Sequence, residues 1–202
     1  LHRITCKLAT RISKWSDLDD KRLWWLVCYI ETSLEYIQAG FIGDNPENLH
    51  MSTFADADFA GDAMSQRSTS GVHFSLNGPR SYFPIQGKST KQTAVSFSTP
   101  EAELVSLCYA YKNVTIPALD LWEVLCPNSG TPLFHEDNQA AIMVVNSGRN
   151  PTMRHLGRVH RVSVQWLHER LGPHPSRDPT VLFYENTQDR TILPSTIFVI
   201  SA

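Results

Sequence analysis

Charge is scarce in this sequence. Asp, Glu, Lys and Arg make up 19% of its 202 residues, and 18 basic against 20 acidic side chains leave a net charge of −2. That balance argues against a protein held to nucleic acid by bulk charge, while leaving local basic segments open. Cysteine is scarce too: Cys6, Cys28, Cys108 and Cys126 show no CxxC or other close spacing. Neither a disulfide framework nor a zinc knuckle is signalled, and reduced, intracellular thiols are the expectation. The longest unbroken apolar run, Leu23 to Ile30, has eight residues, where a bilayer-spanning helix needs about 20, so no membrane partner is expected. The first residues, Leu-His-Arg-Ile-Thr-Cys-Lys, carry neither an initiator Met nor a hydrophobic signal core. They read as a fragment or processed piece with no secretory address. What is present is apolar: 42% of residues, enough in a chain of this length for a sizeable core, which excludes disorder as the main reading.

Ser16-Asp17-Leu18-Asp19 offers a helix cap with an acid three positions on, and Leu23, Leu26, Val27 and Ile30 follow at helical spacing. An amphipathic helix is predicted over Asp17–Ile37. Gly40 to Asn48 reads as a linker, dividing the chain into a helical segment, 1–48, and a domain, 49–202. Strand-like pieces come next, at Met51–Phe59, Gly71–Leu76, Ser81–Ile85 and Thr93–Phe97, separated by turn residues such as Asn77-Gly78-Pro79. Ser98-Thr99-Pro100-Glu101 then starts a helix continued by Leu104, Leu107, Cys108 and Tyr111. Pro132–His135 reads as a short strand leading through Glu136 and Asp137 into a helix with Ala141, Val144 and Val145, followed by a helix over Arg158–Leu171 and a last strand over Thr180–Tyr184. Strands first, then helix, strand and helix, give an α/β class of α+β, mixed-sheet type.

Three acids occupy places where such a fold exposes side chains: Asp56 within the first strand, Glu103 in the first turn of a helix and Asp137 at a strand end. Carboxylates that meet in space repel one another unless cations lie between them, and Mg²⁺ prefers oxygen ligands. The matching chemistry is phosphodiester hydrolysis by two metals about 3.5–4 Å apart. Spacing alone also fits blander roles: Asp56 and Asp58 as strand surface, Glu101 and Glu103 as partners of a helix dipole, Asp137 as a helix cap. His155, His160, His168 and His174 lack the spacing of a zinc helix. Trp24, Trp25, Trp122 and Trp166 sit in apolar helical patterns and read as packing residues.

Four motifs in order change the balance. Phe54-Ala55-Asp56-Ala57-Asp58-Phe59-Ala60-Gly61-Asp62, Gln66-Arg67-Ser68-Thr69-Ser70-Gly71-Val72, Ser98-Thr99-Pro100-Glu101-Ala102-Glu103-Leu104 and Glu136-Asp137-Asn138-Gln139-Ala140-Ala141 resemble the ribonuclease H domain of copia-type retrotransposon Pol polyproteins. The resemblance spans about residues 50–185. More weakly, Trp15 to Thr32 resembles the segment joining the reverse transcriptase to that domain.

The resemblance implies an RNase H-like fold, a five-stranded mixed sheet flanked by helices, cleaving the RNA strand of RNA–DNA hybrids with Mg²⁺, or Mn²⁺ as the alternative. It implies Asp56, Glu103 and Asp137 as catalytic, metal-binding acids, with Glu101 the fallback for Glu103. Its partners would be an RNA–DNA hybrid and the reverse transcriptase portion of the same polyprotein, its place the cytoplasmic retrotransposon particle. The family's fourth acid follows the last strand. Here Leu193 stands at that position, with Asp189 and Glu185 as the substitutes at hand. A catalytically decayed relic is the alternative reading. For the hybrid's phosphates the sequence offers Arg149, Arg154, Arg158 and Arg161, with Lys88 and Lys91 as a smaller group; Asn138 and Gln139 could reach a 2′-hydroxyl or base edge.

Overall fold

The structure, a computed structural model, describes residues 1–127, 132–173 and, by backbone alone, 182–185. Two helices open the chain, α1 (His2–Ala9) and α2 (Asp17–Thr32). A meander follows, β1 (His50–Asp58), β2 (Thr69–Gly78) and β3 (Ser81–Lys91), antiparallel throughout. After α3 (Thr99–Ala110), a π-helical turn (Tyr111–Thr115) and α4 (Ile116–Leu125), strand β4 (Leu133–Glu136) returns parallel to β1. Helices α5 (Gln139–Ser147), α6 (Leu156–Val159) and α7 (Val164–Leu171) precede β5 (Leu182–Glu185), parallel to β4. The result is a mixed α/β fold with the sheet order β3-β2-β1-β4-β5. Four of these strands, β1 to β4, have described side chains.

The core forms where alternating strand residues meet helical stripes. Ala55 of β1, Val72, Phe74 and Leu76 of β2 and Phe134 of β4 pack with Leu104 and Leu107 of α3, Val145 of α5 and Leu167 of α7. Helix α3 lies over β1 and β2, and Ser106 Oγ donates to the Asp56 carbonyl at 2.7 Å. Ser98 caps α3, its Oγ accepting from Glu101 N at 3.4 Å, with Pro100 in the first turn. Helix α5 ends at Gly148, whose φ of +66° is the left-handed conformation that a residue without Cβ adopts at no steric cost.

Several sequence expectations need correction. Thr93–Phe97 is not a strand. Strand β3 runs to Lys91 instead of stopping at Ile85, and as a sheet edge it accommodates Pro84 and Gly87. That leaves 93–97 no strand partner among the described residues, and Phe97 N instead donates to the Glu101 carboxylate at 3.0 Å. Helix α2 stops at Thr32, five residues short of Ile37, where the Thr32 and Ser33 hydroxyls turn back onto the Cys28 and Tyr29 carbonyls. The helix expected over Arg158–Leu171 is broken between α6 and α7 by Arg161, at φ +57°. The sequence reading assigns no helix at α1 or α4, although it places Trp122 of α4 in an apolar helical pattern. Trp24 and Trp25 are solvent-exposed, Trp25 at 75%, whereas Trp122 and Trp166 pack against the core. None of the described helices is long and apolar enough to cross a membrane.

Candidate functional site

The parallel pairing of β1 with β4 aligns Phe54 with His135, so Asp56, still within β1, and Asp137, just past β4, lie two residues beyond the last paired residues of that ladder. Helix α3 brings Glu103 over the same region. Burial pushes the Asp56 carboxyl above the usual range, and the Asp137 charge raises it further. Burial pushes Glu103 up to about 9, with Glu136, Asp56 and Asp137 adding repulsion in that order. The structure therefore places Asp56, Glu103 and Asp137 within electrostatic reach of one another, from one strand, the residue after a second strand and one helix.

Glu136 joins them, and sequence reading had not singled it out as a site residue. It is 1% exposed, and burial first, then the Asp137 and Asp56 charges, push it up to about 8. The signal was present in β4, because Phe134 is a core residue and period-two alternation sends Glu136 to the same side. Glu136 Oε1 accepts from Asn138 N at 3.1 Å, while its Oε2 and Glu103 Oε2 are buried with no hydrogen-bond partner among the described residues. An unpaired buried carboxylate oxygen is costly, and such oxygens are the donors a hard divalent cation takes. In donor chemistry the cluster fits one. In closeness it does not as it stands, for among the described residues no three His, Cys, Asp or Glu side chains are grouped to hold a metal ion.

Glu101 lies apart. Its carboxylate, 1% exposed, receives Phe97 N and His155 Nε2, the latter at 3.1 Å, and His160 Nε2 is also 3.1 Å from it. Asn138 serves as the cap of α5, its Oδ1 accepting from Ala141 N at 3.0 Å, and Gln139 is exposed on the first turn of that helix. Arg149, Arg154, Arg158 and Arg161 are all exposed, and none has an acidic partner among the described residues. Lys91 is committed elsewhere, to an ion pair with Asp62 that holds the Asp62 carboxyl well below its usual range, whereas Lys88 is half-buried on β3. Asp58 pairs with Arg3 of α1. Leu193 and Asp189 fall outside the described residues, as does the side chain of Glu185.

No family model matches the chain. Over 57 residues it is 44% identical to Secreted RxLR effector protein 161 of Plasmopara viticola, a match covering 28% of this chain and 37% of that protein. The chain thus spans little more than a third of the curated relative's length. A foamy viral protease-reverse transcriptase, solved in complex with dsDNA, aligns at a TM-score of 0.41 and 18% identity over 92% of this chain and 34% of that one. A likeness of that size carries no argument about fold or function.

Proposed function

We propose that this chain is a metal-dependent ribonuclease H of retrotransposon type, an endonuclease hydrolysing the RNA strand of RNA–DNA hybrids on an RNase H-like fold. The observation that carries the reading is the acidic cluster of Asp56, Glu103, Glu136 and Asp137, with two buried carboxylate oxygens lacking partners among the described residues. The strand order, an antiparallel three-stranded meander joined to two parallel strands, agrees with the fold that the four sequence motifs imply. In this reading residues 1–48 join the domain, 49–202, to a reverse transcriptase, and the protein works in a cytoplasmic particle.

Asp56, Glu103 and Asp137 would hold Mg²⁺ or Mn²⁺, with Glu136 beside them. A cation held there would supply charge neutralisation and activation of water for attack on a phosphodiester. Helix α3 fixes Glu103 over β1, and the Ser106 bond to the Asp56 carbonyl holds the two elements together. The guanidiniums of Arg149, Arg154, Arg158 and Arg161, without an acidic partner among the described residues, bind the hybrid's phosphates, and Gln139, with the amide nitrogen of Asn138, lies beside Asp137 to meet a 2′-hydroxyl.

The test is cleavage of a labelled RNA–DNA hybrid by the purified chain with Mg²⁺ or Mn²⁺. Asp56→Asn and Asp137→Asn are each expected to lower the rate by about a hundredfold or more, the scale on which one group stabilising developing charge acts. One observation favours a second reading, a decayed relic that binds nucleic acid or packs against a polymerase without turnover: the acids are not grouped closely enough to hold a metal as they stand. Hybrid binding without cleavage, from folded protein supplied with metal, would select the relic.

A further inference from the structure

Outside the acidic cluster, one group of buried polar side chains has no part in the chemistry above. Glu101, in the first turn of α3, is 1% exposed and its Oε1 lies 3.1 Å from both His155 Nε2 and His160 Nε2. The His160 side chain is fully buried, and among the described residues its ring nitrogens make no well-aligned hydrogen bond. Glu101 Oε2 accepts from Phe97 N, and the Phe97 ring meets the His155 ring edge-on at a centroid distance of 5.5 Å.

The segment held by these contacts could not hold itself. Helix α6 has four residues, far below the about 12–15 at which an isolated helix becomes even marginally stable. Arg161 adopts a left-handed φ of +57°, a strain that persists only where the surroundings impose it. Apart from Glu101 and its histidines, the segment is anchored by buried Leu156 and by Met153 packed against the core, with buried Val162 just after it. The histidines alternate with arginines: Arg154 precedes His155, Arg158 lies in α6, and Arg161 follows His160. Between Arg149 and Arg161 there is no acid to neutralise them. Two residues along α3 from Glu101 is Glu103 of the acidic cluster, so one helix carries both the anchor of the arginines and a carboxylate of the proposed cleavage centre.

We propose that Glu101, His155 and His160 form a clamp that positions the arginine-bearing segment 149–161 to receive the hybrid's phosphates at a fixed distance from the acidic cluster. Glu101 is here a positioning residue, and the inference rests on the hydrolase reading. The test uses the full chain with Glu101→Gln and, separately, His155→Ala, whose site is a third exposed and keeps the test open should the first variant fail to fold. A labelled RNA–DNA hybrid is titrated across a salt series, with thermal unfolding measured alongside. Both variants are expected to bind the hybrid about tenfold more weakly, with a slope of log K against log [salt] reduced by about 1–2, as phosphate contacts are lost. The loss of cleavage is expected in KM and not in kcat. A lowered unfolding temperature with unchanged affinity and slope would make the group a stability device and overturn the clamp, and so would a loss in kcat alone. Absence of salt-dependent hybrid binding by the unmutated chain would instead overturn the hydrolase reading, and the clamp with it.

Discussion

Glu103 and Glu136 are buried carboxylic acids whose protons are held far above the normal range, at about 9 and about 8, by burial first and by neighbouring charge second. Each folded-state pKa exceeds the ordinary 4.5 of a glutamate, so each contribution to stability is complete below pH 4.5 and is lost as pH rises through the folded value. In metal-free buffer, stability should therefore decline between about pH 4.5 and pH 9. Glu103→Gln combined with Glu136→Gln should flatten that decline and raise the unfolding temperature at pH 8, which thermal unfolding at a series of pH values checks. A decline that survives the double substitution would assign it to other groups. Asp19 works in the opposite sense. The hydrogen bond its carboxylate accepts from Ser16 Oγ at 2.7 Å, and after it the pairing with Arg11 and Arg22, hold it down at about 2; its contribution is present above the usual aspartate range and disappears as pH falls through that value.

Among the elements, those with complete end signals were legible in the sequence. The Ser98-Thr99-Pro100-Glu101 start of α3 and the Ser16 start of α2 stand where their capping residues put them, because a cap satisfies backbone donors locally. Ends decided by distant partners were not legible: β3 gains its extra residues by pairing along β2, from Thr69 opposite Lys91 to Gly78 opposite Ser81. The break between α6 and α7 belongs to the same class. It turns on Arg161 at φ +57°, a conformation costing a residue with a Cβ about 1–2 kcal/mol. Arg161→Gly should raise stability by up to about 1 kcal/mol in denaturant unfolding, whereas Arg161→Ala should not. Both should weaken hybrid binding, since both remove a guanidinium. Equal stability of the two variants would show that the backbone there is not strained.

Across the whole molecule, a net charge of −2 conceals a local excess of positive charge in the 149–161 segment. Arg149→Ala with Arg158→Ala should lower the slope of log K against log [salt] for hybrid binding by about 2, close to 0.9 for each phosphate contact removed; an unchanged slope would make these arginines an ordinary solvated surface. Apolar side chains are just as unevenly placed. The core lies between the sheet and helices α3, α5 and α7, while Leu23, Trp24, Trp25, Val27 and Ile30 of α2 are exposed. The helical spacing of α2 was readable, but spacing shows that a stripe exists and not whether anything covers it. By itself the sequence determined the mixed α/β class, the capped helix starts, the positions of the strands β1, β2 and β4 and the candidate acids, since these follow from local periodicity and local hydrogen bonding. Only the tertiary structure decided that Glu136 joins Asp56, Glu103 and Asp137, that Glu101 turns to two histidines more than fifty residues away, and that Lys91 is taken up by Asp62. Those outcomes depend on parallel strand register and on burial, which raise or lower the cost of a charge through groups that are distant along the chain and adjacent in space.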